Sequence, residues 1–385
     1  MSSSSLFKPP RIGFIGGGQL ARMMIVAAKR LGAHCIVLDP ETPSPAGQLA
    51  DEQIIGTYDD EAKLKEMVEQ CDVTTYDLEN IETQALVKLA SEGHALRPAP
   101  ELLWIVQDKL RQKDRYQEAN LPSAPYKQTD EPTEVDFAEF GYPLVQKARR
   151  GGYDGRGVAV MKSAADFVKH LPVPSLIERF VPAKMELAVM VARSVNGETI
   201  CYPVVEMLVD TDHNVLDQLI SPARISTSIA ASAQQISKEA VEALDGVGIF
   251  GVELFLTEDD EILINEIAPR THNSGHHTIE ACYTDQFEQH IRAITGLPLA
   301  GAEQHHSAVM INLLGEPGYS GAPICTGLDK ALALSGVTFH LYGKASTRAY
   351  RKMGHITILD ATLEGAVDKA AQIKSWVKVI GETKT

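Results

Sequence analysis

Gly251-Val252-Glu253-Leu254-Phe255-Leu256-Thr257-Glu258-Asp259-Asp260-Glu261-Ile262-Leu263-Ile264-Asn265-Glu266-Ile267 reads as two apolar strands around an acidic turn. Each flank carries one glutamate among apolar neighbours. If Asp259 and Asp260 form the tip, Glu253 faces Glu266 directly across the hairpin, on one face of the sheet. Like charges placed so repel each other. A divalent cation reverses the sign, and magnesium takes one or two carboxylates together with substrate phosphates. The pair is therefore a candidate magnesium site, with Asn265 beside it as a further oxygen donor. The competing reading, two glutamates facing water, fits poorly with the apolar residues on both flanks.

Upstream lies Gly151-Gly152-Tyr153-Asp154-Gly155-Arg156-Gly157, between an expected strand Pro143 to Ala148 and another at Val158 to Met161. Four glycines in seven residues let a backbone fold over phosphates as a closing lid does. Lys147 precedes the loop, with Arg149 and Arg150 alongside. Downstream, Arg270-Thr271-His272-Asn273-Ser274-Gly275-His276-His277 begins just past the hairpin. Its arginine is placed to clamp a carboxylate or bicarbonate through two parallel hydrogen bonds. The adjacent histidines lack a zinc spacing and read as hydrogen-bonding groups. Further on, Lys344 and Arg348-Ala349-Tyr350-Arg351-Lys352-Met353-Gly354-His355 form a basic cluster suited to an anionic substrate.

At the N-terminal end, Arg11 to Ile15 is an apolar strand followed by Gly16-Gly17-Gly18-Gln19-Leu20-Ala21 and a helix to Leu31. This matches G-x-G-x-x-A, and Asp39 ends the next strand, as in a dinucleotide site. An NAD-dependent oxidoreductase is thus a second class of reading. A tight turn without a cofactor is the plain alternative. Strand–helix alternation to Pro98-Ala99-Pro100 predicts a parallel sheet with covering helices. Further expected elements are a helix from Asp108 to Ala119, strands at Leu176 to Val181, Glu186 to Ala192 and Ile200 to Glu206, and a helix from Ser237 to Val247. Asp285 to Thr295 reads as a helix. Short strands recur at Val309 to Leu313, Val337 to Leu341 and His355 to Leu359, before a closing helix from Lys369 to Val379.

The chain has 385 residues, 44% hydrophobic and 23% charged, with a formal net charge of −15. These values suit two or three packed units. The acidic balance argues against a partner such as nucleic acid or an anionic membrane. No window approaches the length of a membrane span, and the serine-rich start has no signal-peptide pattern. Five dispersed cysteines with no C-x-x-C read as reduced thiols of a cytoplasmic protein.

Taken in order, the glycine turn, the Tyr-Asp-Gly-Arg loop, Asn265-Glu266-Ile267-Ala268-Pro269-Arg270, His272-Asn273-Ser274-Gly275-His276 and Arg351-Lys352-Met353-Gly354-His355 resemble the 5-(carboxyamino)imidazole ribonucleotide synthetase family of ATP-grasp enzymes. The resemblance runs from about Ile12 to Leu359. It implies an α/β and α+β chain in three parts: an N-terminal parallel-sheet, nucleotide-binding-like domain (1–104), a central ATP-grasp unit with antiparallel sheets (105–300, the glycine-loop subdomain about 105–180) and a small C-terminal β-rich domain (301–385). It implies carboxylation of 5-aminoimidazole ribonucleotide by ATP and bicarbonate, with Mg²⁺ or Mn²⁺, in a homodimer. A formate-dependent ribonucleotide transformylase is the nearest alternative.

Residue by residue, the resemblance assigns ATP to Lys109, Lys147, Gly152, Tyr153, Asp154, Gly155, Arg156, Gly157, Val158, Glu178, Arg179, Phe180, Val181, Glu186, Asn265 and Glu266. It gives the metal to Glu253 and Glu266. It places Gln19, Leu20, Tyr153, His272, Asn273, Arg348 and Arg351 around the ribonucleotide, and gives catalytic roles to Asp154, Arg156, Arg270 and Lys352. Two departures stand out. Many relatives have a histidine near Val209, where the nearest here is His213, and Lys109 replaces an arginine found in some.

Overall fold

The computed structural model describes residues 8–152, 157–210 and 215–384. Tyr153, Asp154, Gly155, Arg156 and His213, all singled out by the sequence reading, lie outside the described residues.

The first unit is a four-stranded parallel sheet ordered Glu52–Ile55, His34–Asp39, Arg11–Ile15, Val73–Tyr76. Successive residues pack on opposite faces. Ile12, Phe14, Cys35 and Val37 meet helix Gln19–Arg30. Ile36, Leu38 and Ile54 meet helices Glu61–Val68 and Thr83–Ser91. The inner strands Arg11–Ile15, His34–Asp39 and Val73–Tyr76 are covered on both faces, whereas the edge strand Glu52–Ile55 is partly exposed.

Two antiparallel sheets follow. The smaller is ordered Tyr126–Thr129, Ser175–Arg179, Leu144–Ala148, Val158–Met161. The larger has nine strands among the described residues; Gly248–Thr257, next to its edge strand Ile262–Ala268, pairs along its length with Ala183–Arg193. Leu187, Val189, Val191, Phe250, Val252 and Leu254 pack under helix Thr227–Ala243. By alternation, Glu186, Ala188 and Glu253 point to the opposite face.

The C-terminal strands extend this same sheet. Ser307–Leu314 pairs with Val215–Ser221, and Lys352–Asp360 and Val337–Leu341 follow. Helix Leu363–Trp376 covers them.

Three elements differ from the sequence expectation. The helix expected from Ser237 begins at Thr227, because Ser226 caps it by accepting from the Ile229 N–H at 3.3 Å. The closing helix runs Leu363–Trp376, capped by Thr362, and the chain from Lys378 to Lys384 is a strand paired with Tyr319–Thr326. The expected strand Ile200 to Glu206 is two strands, Thr199–Cys201 and Val205–Asp210, separated at Tyr202-Pro203-Val204, since proline cannot donate within a sheet.

Candidate active site

Glu253 stands opposite Glu266, but not through the turn that the sequence suggests. The Thr257 N–H donates to the Glu261 carbonyl at 2.9 Å, and Asp260 adopts a left-handed φ of 62°. Leu254 accordingly pairs with Ile264. Continued unbroken, that register would set Asn265 against Glu253 and turn Glu266 toward the apolar core. A bulge next to Glu253 absorbs one residue, so the consecutive Asn265 and Glu266 both reach the cleft.

Their contacts follow from this. The Lys147 Nζ donates to Asn265 Oδ1 at 3.0 Å, Asn265 Nδ2 donates to Glu253 Oε2 at 3.4 Å, and the Lys109 Nζ donates to Glu266 Oε2 at 2.6 Å. Lys109 holds the Glu266 carboxyl below its usual range. Burial, with Glu266 and Glu186 close by, raises that of Glu253. The Glu266 side chain is 39% exposed, so its carboxylate is not sealed off by the protein. Two hard-oxygen carboxylates, one already disfavouring its own charge, are a donor set that fits magnesium completed by phosphate oxygens.

The opposite wall comes from the smaller sheet and helix Lys109–Glu118. Asp108 caps this helix and also accepts from Arg149 Nε and Nη2 at 3.1 and 2.8 Å, which ties Lys109 to the base of the glycine loop. Glu178 is 4% exposed. It lies 3.0 Å from the Lys147 Nζ and 3.5 Å from the Lys113 Nζ. Burial opposes its ionisation, but Lys147 and Lys113 outweigh that and keep its carboxyl low. Lys113 was not among the residues expected from sequence. Its signal was its spacing, one helical turn beyond Lys109 on the same face. Glu186, next on the large sheet, is held above the usual carboxylate range by burial. Gly157 takes φ 78° and Val158 begins the strand after the loop, while Gly152 precedes the undescribed residues. Phe180 donates its N–H to the Pro143 carbonyl, and the Val181 carbonyl accepts from Ala183. The Arg179 guanidinium points away, to the Phe140 and Gly141 carbonyls.

Beyond the hairpin, Arg270 pairs with Glu79 of the first unit at 3.1 Å. His272 lies over Gly251, where a Cβ would sit 2.6 Å from the His272 Cβ. Glycine there brings the His272 Nε2 to 3.6 Å from Glu253. Asn273 exchanges both amide hydrogen bonds with Asn312, at 3.0 and 2.7 Å, and so fastens this loop to the C-terminal strands. Lys352 shares a face with His355 because Met353 is bulged out between the Leu313–Gly354 and Leu314–Lys352 pairs. Its charge favours ionised Glu253. The Lys344 Nζ donates to the Lys352 carbonyl at 2.7 Å, Arg351 donates to Ser346, and Arg348 is exposed.

This basic loop docks on the first unit. Gln48 Nε2 donates to the Gly343 carbonyl, and Tyr342 packs in the cluster containing Leu20. Lys344 also acts on Asp77, the carboxylate that accepts from the Gly18 and Ala21 N–H groups, so the start of this loop lies near the glycine turn. The glycine turn itself has no vacant anion cradle for a dinucleotide. The Gly17 N–H donates to Asp39 at 2.7 Å, and the Gly18 and Ala21 N–H groups donate to Asp77 at 2.6 and 2.8 Å. The protein's own carboxylates thus occupy the helix N-terminus where a pyrophosphate would have to sit. A cavity of about 640 Å³ behind the glycine loop is lined by Ala148, on the face of its strand opposite Lys147.

Two antiparallel sheets holding lysines and carboxylates across one cleft define an ATP-grasp enzyme, and residues 114–287 match the ATP-grasp domain model. Residues 10–107 match the ribonucleotide synthetase preATP-grasp domain, and 308–369 match the phosphoribosylaminoimidazole carboxylase C-terminal domain. The chain is 40% identical over 366 residues to N5-carboxyaminoimidazole ribonucleotide synthase of Bacillus subtilis, covering 93% of this chain and 94% of that protein. The crystal structure of N5-carboxyaminoimidazole ribonucleotide synthetase from Thermotoga maritima superposes with a TM-score of 0.91 at 50% identity, over 97% of this chain and 100% of that one. An Aspergillus clavatus synthase solved with ADP and 5-aminoimidazole ribonucleotide gives 0.87 at 33% identity, over 95% and 98%. The chain belongs to the N5-carboxyaminoimidazole ribonucleotide synthetase family of ATP-grasp ligases. It spans 64% of the length of another relative, the phosphoribosylaminoimidazole carboxylase of Schizosaccharomyces pombe, to which it is 41% identical.

Proposed function

We infer that the chain carboxylates the amine of 5-aminoimidazole ribonucleotide, consuming ATP and bicarbonate and releasing 5-(carboxyamino)imidazole ribonucleotide, ADP and phosphate. The observation carrying this reading is the Glu253–Glu266 pair facing Lys109 and Lys147 across the cleft. We place the protein in the cytoplasm as a homodimer, divided at 104/105 and 300/301, with Mg²⁺ on Glu253 and Glu266. Magnesium there would neutralise charge developing on the transferred phosphoryl group.

Lys109 and Lys147 hold the phosphates, and the 178–181 segment presents backbone groups to adenine, with Glu186 toward the ribose. A bicarbonate oxygen attacks the γ-phosphorus and ADP leaves, giving carboxyphosphate. Arg270 orients the bicarbonate. The exocyclic amine then attacks the carboxyl carbon, either in carboxyphosphate with phosphate leaving or in the carbon dioxide to which carboxyphosphate collapses. Asp154 takes the amine proton, and Arg156 and Lys352 balance the anionic species. Gln19, Leu20, Tyr153, His272, Asn273, Arg348 and Arg351 surround the ribonucleotide. Closing the glycine loop excludes the water that would hydrolyse carboxyphosphate.

ADP release, measured with each substrate singly and together, tests the reading. It should need ATP and bicarbonate and rise when the ribonucleotide is added. Turnover supported by formate and not by bicarbonate would instead establish the transformylase reading.

A further inference from the structure

Lys113 is buried, 3% exposed, and its one oppositely charged neighbour is Glu178, with Lys147 and Lys109 close by. Its Nζ lies 3.5 Å from Glu178 Oε1, and neither atom has a hydrogen-bond partner. The other Glu178 oxygen, Oε2, is 3.0 Å from the Lys147 Nζ, which in turn donates to Asn265 at 3.0 Å. A single buried carboxylate therefore sits between two ammonium groups. Lys147 is drawn to Glu178 on one side and to the edge of the metal-binding hairpin on the other.

A lysine that must serve a triphosphate has to loosen its hold on Glu178 when nucleotide arrives. Leaving a buried carboxylate with no counter-ion is costly. We propose that Lys113 is a positioning residue: it is the standing counter-ion of Glu178, and it frees Lys147 to move between that carboxylate and the nucleotide phosphates. This rests on the reading that Lys147 binds ATP. Lys113 acts through Glu178 and Lys147. Without it, Glu178 would keep Lys147 and nucleotide would bind poorly, whereas phosphoryl transfer in enzyme already loaded would change little. The dependence runs through Glu178, so once that carboxylate is neutral Lys113 should no longer matter.

Direct Mg-ATP binding by calorimetry, with kcat and the KM for ATP, tests this in Lys113→Met, Glu178→Gln and the double variant. Lys113→Met should weaken Mg-ATP binding about tenfold or more and raise the KM similarly, with kcat within about threefold. In the Glu178→Gln background the same change should shift affinity by less than about twofold. Wild-type affinity in Lys113→Met, or equal loss in both backgrounds, would overturn the proposal. If Lys113→Met does not fold, the comparison of Glu178→Gln with the double variant decides alone: equal affinity supports the counter-ion role of Lys113 and a tenfold gap refutes it. Binding is read without bicarbonate or ribonucleotide. A wild type that binds Mg-ATP but does not carboxylate would therefore count against the proposed reaction and leave this test intact.

Discussion

Glu253 has the most strained electrostatics of the cleft residues. Burial raises its carboxyl first, Glu266 and Glu186 raise it further, and Lys109 and Lys352 only partly offset this. At neutral pH such a group binds a proton more readily than a free glutamate, and a cation arriving with nucleotide must displace that proton. The wild type should therefore release protons on binding Mg-ATP near pH 7, seen as a dependence of calorimetric enthalpy on the ionisation enthalpy of the buffer. Glu253→Gln should abolish that dependence, and an unchanged slope in the variant would remove Glu253 from the metal site. The pairing with Glu266 was legible in sequence because two lone acids among apolar residues stand out. The route to it was not, since a left-handed Asp260 shortens the turn and an unsignalled bulge at Asn265 restores the register. Lys113 was hidden for a different reason. An amphipathic basic helix reads as a solvated face until tertiary packing buries one of its lysines against Glu178.

At the level of elements, one contact between the first parallel sheet and the large antiparallel sheet runs through a buried histidine beside a glycine. The Ile249 N–H donates to His290 Nδ1 at 3.0 Å, so His290 Nε2 carries the hydrogen and donates to the Thr75 Oγ1 at 2.8 Å. Gly248 starts the strand with φ 124°, and a Cβ there would lie 2.9 Å from the His290 ring. Gly248→Ala combines a backbone penalty with a clash in a packed interior. It should lower stability by about 2–4 kcal/mol, read as a shift in the urea midpoint with the denaturant slope unchanged. A variant as stable as wild type would show that the joint is slack. Short strands rich in β-branched and aromatic residues, such as Arg11–Ile15 and Val73–Tyr76, were readable from sequence. Helix Thr227–Ala243 was not wholly so. Its first turns are rich in serine and alanine, and its core-facing residues, Ile229, Ala233, Ile236 and Ala240, gain their meaning from the sheet beneath.

Across the whole molecule, the sheet that carries Glu253 continues into the C-terminal strands, and four of the described histidines are buried. Sequence patterning could not show this, because pairing between Val215–Ser221 and Ser307–Leu314 joins segments far apart in the chain. His276, His277, His290 and His355 are buried, and burial lowers the basicity of each, to about 4 for His277 and about 3 for His290. Below the unfolded value of about 6.5 the unfolded chain takes up protons that the folded chain refuses, so stability is full above that pH and falls as pH drops. Each such histidine contributes a slope of about 1.4 kcal/mol per pH unit down to its folded value. Urea unfolding between pH 7 and 5 should therefore steepen by several protons' worth, and a flat profile would mean the histidines are charged when folded. The same continuous sheet fixes the hairpin carrying Glu253 and Glu266, and the proposed reaction requires that pair to hold the nucleotide's metal. Electron paramagnetic resonance of Mn²⁺, titrated with a non-hydrolysable ATP analogue into wild type and Glu266→Gln, measures this directly. The expected result is nucleotide-dependent Mn²⁺ binding in the wild type, weakened about tenfold or more in the variant; equal Mn²⁺ affinity in the two proteins would contradict it.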